Sequence, residues 1–156
     1  MHQEISGIHS GSVGDPARFL GLDALDAGLA AIAAPREAGR VALIVRRVAP
    51  GGVREVLDRA EVSPASGVPG DAWERRPDPD PQAQLTVMQL DVATLIANGQ
   101  PLELFGDNLI VDLDLSGHAL PTGSRLRIGG ATLEVTPLPH NGCRKFRARF
   151  GADALR

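Results

Sequence analysis

Residues 137–150 read PLPHNGCRKFRARF and hold the only cysteine of the chain, Cys143, with His140 shortly before it and Arg144, Lys145, Arg147 and Arg149 close behind. A thiol acts as nucleophile or metal ligand only as the thiolate, and nearby positive charge lowers its pKa. Two roles are open to such a residue: a reactive sulfur in a basic setting, or the small buried hydrophobe that a free cysteine commonly is. Pro137, Pro139 and Gly142 interrupt any regular ladder, so the sulfur is expected on a loop that presents it. His140 is near enough in sequence to assist the thiol, as a cation favouring the thiolate or as a base taking its proton; the other role open to it is a turn residue bonding a backbone carbonyl.

Other polar residues suggest ligand contacts. Gly106, Asp107 and Asn108 set a glycine beside two side chains that bond backbone groups, which makes a specific turn, and Asn108 can both donate to and accept from a ligand. In the segment 61–73, EVSPASGVPGDAW, Asp71 either orients a partner donor or closes an Asx-type turn, and Trp73 either covers a pocket or anchors the loop. Asp112 and Asp114 lie on one strand face without a third ligand nearby, which favours solvated acids over a metal pair. His2 and His9 also lack a second ligand at metal spacing. Arg46 and Arg47 are adjacent on a strand and point to opposite faces, and both are expected to be exposed.

At 156 residues the chain fits one domain, 1–156, able to bury a single core without disulfides or a structural metal. A net charge of −3, no tyrosine and 3% aromatic residues give neither the basic field nor the stacking platforms of a nucleic-acid binder. The opening MHQEISG has no signal-like apolar run, and no stretch approaches the ~20 apolar residues of a membrane span. With one cysteine and no internal disulfide, the expected setting is a reducing cytoplasm, without a membrane partner.

The elements that must position these residues follow from pattern. Asp15 before Pro16 predicts a helix start, and Leu22, Leu25, Leu29 and Ile32 share one face until Pro35. Residues 40–48 and 53–59 read as two strands around a proline-glycine turn. Segment 61–73 is a shaped loop, and 75–81, RRPDPDP, is an extended connector. A strand at 84–89 leads into a short helix at 90–97, capped by Asp91 and ended by Asn98 and Gly99. Residues 105–115 alternate as a half-buried strand with wet acids, and 124–136 form a hairpin around Gly129 and Gly130. The sum is mainly β with a few short helices, and so many short strands favour a small barrel.

Taken together, GVPGDAW (67–73), QLTVMQLD (84–91), LFGDNLIVDLDLSGHALPTGSRLRIGGATLEVT (104–136) and PHNGCRKF (139–146) resemble the MOSC domain family, the domain also found at the C-terminus of molybdenum cofactor sulfurases. Gly106, Asp107, Asn108 and Leu109 match its Gly-acidic-Asn-Leu motif, and Cys143 falls on its motif cysteine. The resemblance implies a MOSC-type β-barrel that handles sulfur and the molybdenum cofactor, or molybdopterin, with Cys143 carrying a persulfide or contacting molybdenum. Its Gly-Asp motif is followed here by Ala72 and Trp73 instead of arginine and histidine, and nothing after Arg156 corresponds to the family's final strand pair. An edge left open would pair with a second copy, as a homodimer. No pyridoxal phosphate lysine site is recognised, which makes a separate cysteine desulfurase the sulfur donor and a molybdoenzyme the acceptor.

Two classes of function follow. In one, a sulfurtransferase or cofactor-dependent protein uses Cys143 for chemistry with His140 assisting, Lys145 and Arg147 bind phosphate or pterin oxygens, and Asn108 and Asp71 orient the ligand. In the other, the chain is a non-catalytic binding module whose basic loop recognises an anionic ligand or an acidic partner.

Overall fold

The computed structural model describes residues 8–9, 13–35, 37–49 and 53–156. Its strands are β1 (Ile8–His9), β2 (Arg40–Ala49), β3 (Val53–Leu57), β4 (Val87–Gln89), β5 (Leu109–Asp112), β6 (Arg125–Ile128) and β7 (Ala131–Glu134), and its helices α1 (Leu22–Ala30), α2 (Leu90–Ala97) and α3 (Arg144–Phe150). A five-stranded sheet runs in the order β1-β3-β2-β5-β4, and β6 and β7 form a separate two-stranded ribbon. Pairing is antiparallel except between β4 and β5, which α2 connects.

Strand β5, an inner strand between β2 and β4, explains the layering. Leu109, Ile110 and Val111 are all buried, so the half-wet strand expected over 105–115 is instead covered on both faces and ends at Asp112. Ile110 faces Ala93 and Ala97 of α2 with Phe105 and Phe150, while Leu109 and Val111 meet Val87, Leu126 and Leu133 on the other side. Helices thus cover one face and the ribbon the other. This corrects the barrel expectation: among the described residues the sheet keeps β1 and β4 as edges, does not close, and belongs to a mixed α/β fold. Apolar residues within 90–97 and 144–150 recur at helical spacing, so those segments pack on the sheet as helices instead of extending it.

Local signals decide several elements. The β6–β7 hairpin pairs Ile128 with Ala131 around Gly129, at φ +56°, as the glycine pair predicts. Helix α2 ends where Asn98 and Gly99 take left-handed φ values of 45° and 85°. Its N-cap is Gln89, and Asp91 lies inside the first turn, one correction to the expected cap. Asp15 accepts from the Ala17 N–H at 3.0 Å but caps only the short turn Pro16–Arg18, after which the chain extends and restarts as α1. The turn at 50–52 and His2 lie outside the described residues, as does the side chain of His9. Among the described residues no helix is long and apolar enough to cross a membrane.

Candidate functional site

As expected, an irregular segment presents Cys143, which ends that loop at the N-cap of α3 with an extended backbone (φ −124°) and an exposed side chain. The sulfur makes no aligned capping hydrogen bond, yet it lies where backbone N–H groups favour its charged form. The Phe146 N–H lowers the thiol pKa most; slight burial opposes it, and the Lys145 N–H with the charges of Arg149 and Lys145 adds to the lowering.

The helix is fixed by its aromatic face. Phe150 stacks on Phe105 with ring centroids 4.1 Å apart, and Phe146 lies 5.0 Å from Phe150. Phe105 precedes Gly106 and Asp107 directly, so the packing that seats α3 also brings the Gly-Asp-Asn turn to the thiol's helix. Gly106 has φ +76°, and a Cβ there would meet Arg54 Nε at 3.2 Å and Arg149 Nη1 at 3.7 Å. The bare glycine is therefore a floor beneath two guanidinium groups.

Both cations are buried. Desolvation first, then repulsion from Arg149 and Arg47, pulls Arg54 down to about 10, with Glu103 opposing. Desolvation also lowers Arg149, against the attraction of Cys143 and Asp107. Arg149 is 6% exposed, and its Nε has no hydrogen-bond partner among the described residues. Its carbonyl is held by Gln100 Nε2 at 3.1 Å, and Gln100 Oε1 in turn accepts from the Asp15 N–H at 2.7 Å, which fixes the end of α3.

His140 faces the same cluster from outside. Its exposed ring places Nε2 3.3 Å from Oδ1 of buried Asp107, an ion-pair contact without the angle of an aligned hydrogen bond. Asp107 raises the His140 pKa, while partial burial opposes. The imidazole thus engages Asp107, and it is not among the groups that shift the Cys143 thiol. His140 also borders a cavity of about 840 Å³, lined on its apolar side by Leu85, Val87, Leu126, Leu133 and Leu138.

The remaining expected site residues are divided by the fold. Lys145 and Arg147 are exposed on α3, beside Cys143 in sequence. Asn108 is fully buried: Nδ2 donates to the Val45 carbonyl at 3.2 Å, and Oδ1 accepts from the Thr86 N–H at 3.2 Å. Its side chain ties β2 to the segment before β4 and turns away from any open cleft. Asp71, also fully buried, accepts from the Arg47 N–H at 2.7 Å, Arg47 Nη2 at 2.5 Å and the Trp73 N–H at 3.0 Å. Burial alone would raise its pKa, but the Arg47 hydrogen bonds outweigh that and lower it. Asp71 therefore clasps the 61–73 loop onto β2.

The expected exposure of Arg46 and Arg47 is corrected by the same contacts. Each is half-buried and paired, Arg46 with Glu55 at 2.6 Å and Arg47 with Asp71. Sequence reasoning missed Arg54, and named Arg149 only as one of the cations close behind Cys143, not as a buried member of the site. For Arg149 a signal existed, because Phe146, Arg149 and Phe150 sit at i, i+3 and i+4 of one helix face. Among the described residues, no group of three or more histidine, cysteine, aspartate or glutamate side chains could hold a metal ion.

No family model, curated protein or solved structure matches the chain.

Proposed function

We propose that this chain is a sulfur carrier in which Cys143 accepts a sulfane sulfur atom and passes it on. The observation that carries the reading is the exposed thiol at the start of α3, its charged form favoured by the Phe146 and Lys145 N–H groups and by Arg149. The thiolate is the nucleophilic form of the residue, and at an exposed position it is open to a donor protein. In the transfer, Cys143 attacks the outer sulfur of a donor persulfide, a new S–S bond forms, and the donor's own sulfur leaves as a thiolate. A cysteine desulfurase fits the donor role.

The resemblance to MOSC domains extends this reading to the molybdenum cofactor and to a molybdoenzyme acceptor. The donor set suits a group that brings most of its own ligands, since Cys143 is the one soft ligand in the cluster and Lys145 and Arg147 are cations able to reach phosphate oxygens. When bound, such a group would supply a metal centre to which sulfur can be delivered.

The test is intact mass after incubation with a cysteine desulfurase and cysteine. A gain of one sulfur atom, removed by reductant and missing in Cys143→Ser, is expected. No gain under conditions that load a known carrier would overturn the reading.

A further inference from the structure

Strand β4 is an edge without the usual protections. Among the described residues it pairs with β5 alone. Its register sets Val87 beside Leu109, and the Leu109 N–H donates to the Thr86 carbonyl at 3.1 Å. In a parallel ladder a residue bonds the two neighbours of its opposite number, so β5 takes up Thr86 and Met88, and the N–H and C=O of Val87 point outward. Such an edge is normally blunted by charge or proline. Residues 82–90, QAQLTVMQL, hold neither, in a chain that is 22% charged.

Both faces beside this edge are hollow and apolar. Val87 packs toward the ribbon and Met88 toward the helices. On the ribbon side lies the cavity of about 840 Å³ with Leu85 and Leu138, and on the helix side one of about 640 Å³ with Leu29, Ile32 and Val92; Val87 and Leu115 border both. Four large apolar side chains are exposed among the described residues, and two of them, Leu29 and Leu138, border these hollows. An added strand points alternate side chains to the two faces, so each set finds an apolar hollow.

We propose that a second copy of this chain supplies that strand, its β4 lying antiparallel to the first across a two-fold axis at Val87. This register sets Val87 opposite Val87 of the second copy and Leu85 opposite Gln89. The outward N–H of each Val87 donates to the outward C=O of the other, as a bonded antiparallel pair requires. Opposed residues share a face, so Val87 of both copies extends the ribbon side and Met88 of both the helix side. A second copy is the occupant of matching chemistry: it presents the same uncharged stretch with the same alternation, and no like charges meet within the paired residues. Pairing of this kind needs no chemistry at Cys143 and stands apart from the sulfur-carrier reading.

Sedimentation velocity of the whole chain over a concentration series should show a dimer. Leu85→Lys, at a side chain outside both core clusters, should sediment as a monomer with an unchanged circular dichroism spectrum. The register is read by cross-linking in a Cys143→Ser background, where the introduced thiol stands alone. Val87→Cys should form a covalent dimer on mild oxidation, because opposed residues of a bonded antiparallel pair lie about 5.5 Å apart, within disulfide reach. Met88→Cys should not, being out of register with its own copy by two positions, about 7–8 Å away. Since Val87 packs on the ribbon cluster, amide exchange of the wild type gives a second reading: the Val87 N–H should exchange more slowly as concentration rises. A monomer at every concentration, a dimer untouched by Leu85→Lys, or cross-linking through Met88→Cys instead of Val87→Cys overturns the proposal.

Discussion

Nε2 of His140 lies 3.3 Å from Oδ1 of Asp107, an exposed base set against a buried acid. Asp107 raises the imidazole pKa, so its folded value lies above the ordinary 6.5. A group of this sign stabilises the fold fully below the unfolded value and loses the contribution as pH rises through the folded value. His140→Gln should therefore destabilise by about 0.5 kcal/mol at pH below 6, a figure kept at the level of screened surface pairs because the ring is exposed. The difference should vanish at higher pH, as urea unfolding across a pH series would read. A deficit independent of pH would mean that His140 contributes packing alone.

Cys143 should alkylate with a pH midpoint below the ordinary thiol value, because the Phe146 N–H and the nearby cations favour its charged form. His140→Gln should leave that midpoint in place, since the ring engages Asp107. Cys143→Ser should melt as wild type does, the side chain being exposed. Stopped-flow alkylation of the two proteins and a thermal scan of the serine variant settle these points.

Asp71→Ala strands Arg47, half-buried, without its carboxylate and frees the 61–73 loop. Breaking such a pair should cost on the order of 3 kcal/mol. The pKa of Asp71 is lowered in the fold, so its contribution is present above the ordinary carboxylate value and is lost as pH falls through the depressed one. Denaturant midpoints of wild type and Asp71→Ala should therefore converge in strong acid.

Gly106→Ala should destabilise by about 1–2 kcal/mol from the left-handed backbone alone. The added methyl would also sit 3.2 Å from Arg54 Nε and press on the guanidinium pair. A slower reaction of Cys143 with iodoacetate, measured beside an unchanged rate with iodoacetamide, would show that the glycine floor positions the cations.

What the sequence made legible was local. The β6–β7 hairpin, the end of α2 at Asn98 and Gly99, and the pairing of β2 with β3 each follow from a turn signal or a β-branched run within a few residues. Helix α3 was hidden because Pro137, Pro139 and Gly142 dominate the reading of the segment just before it. Cys143 was found by residue type; of residues 106–108, Asp107 and Gly106 approach its segment, while Asn108 is held by β2. Arg54 looked like any charged residue of a strand; its burial depends on the approach of Arg149 and Gly106, which no local pattern encodes.

The stack of Phe150 on Phe105 ties the helix that carries the thiol to the same apolar layer as Ile110 and α2. Fraying of α3 would therefore break into the centre of the domain and cannot occur as a cheap local opening. Amide hydrogens late in α3 should exchange at rates close to those of β5, far more slowly than a seven-residue terminal helix would suggest. The sulfur consequently sits on a rigid mount: a partner must come to Cys143, because the helix does not unwind to reach a partner.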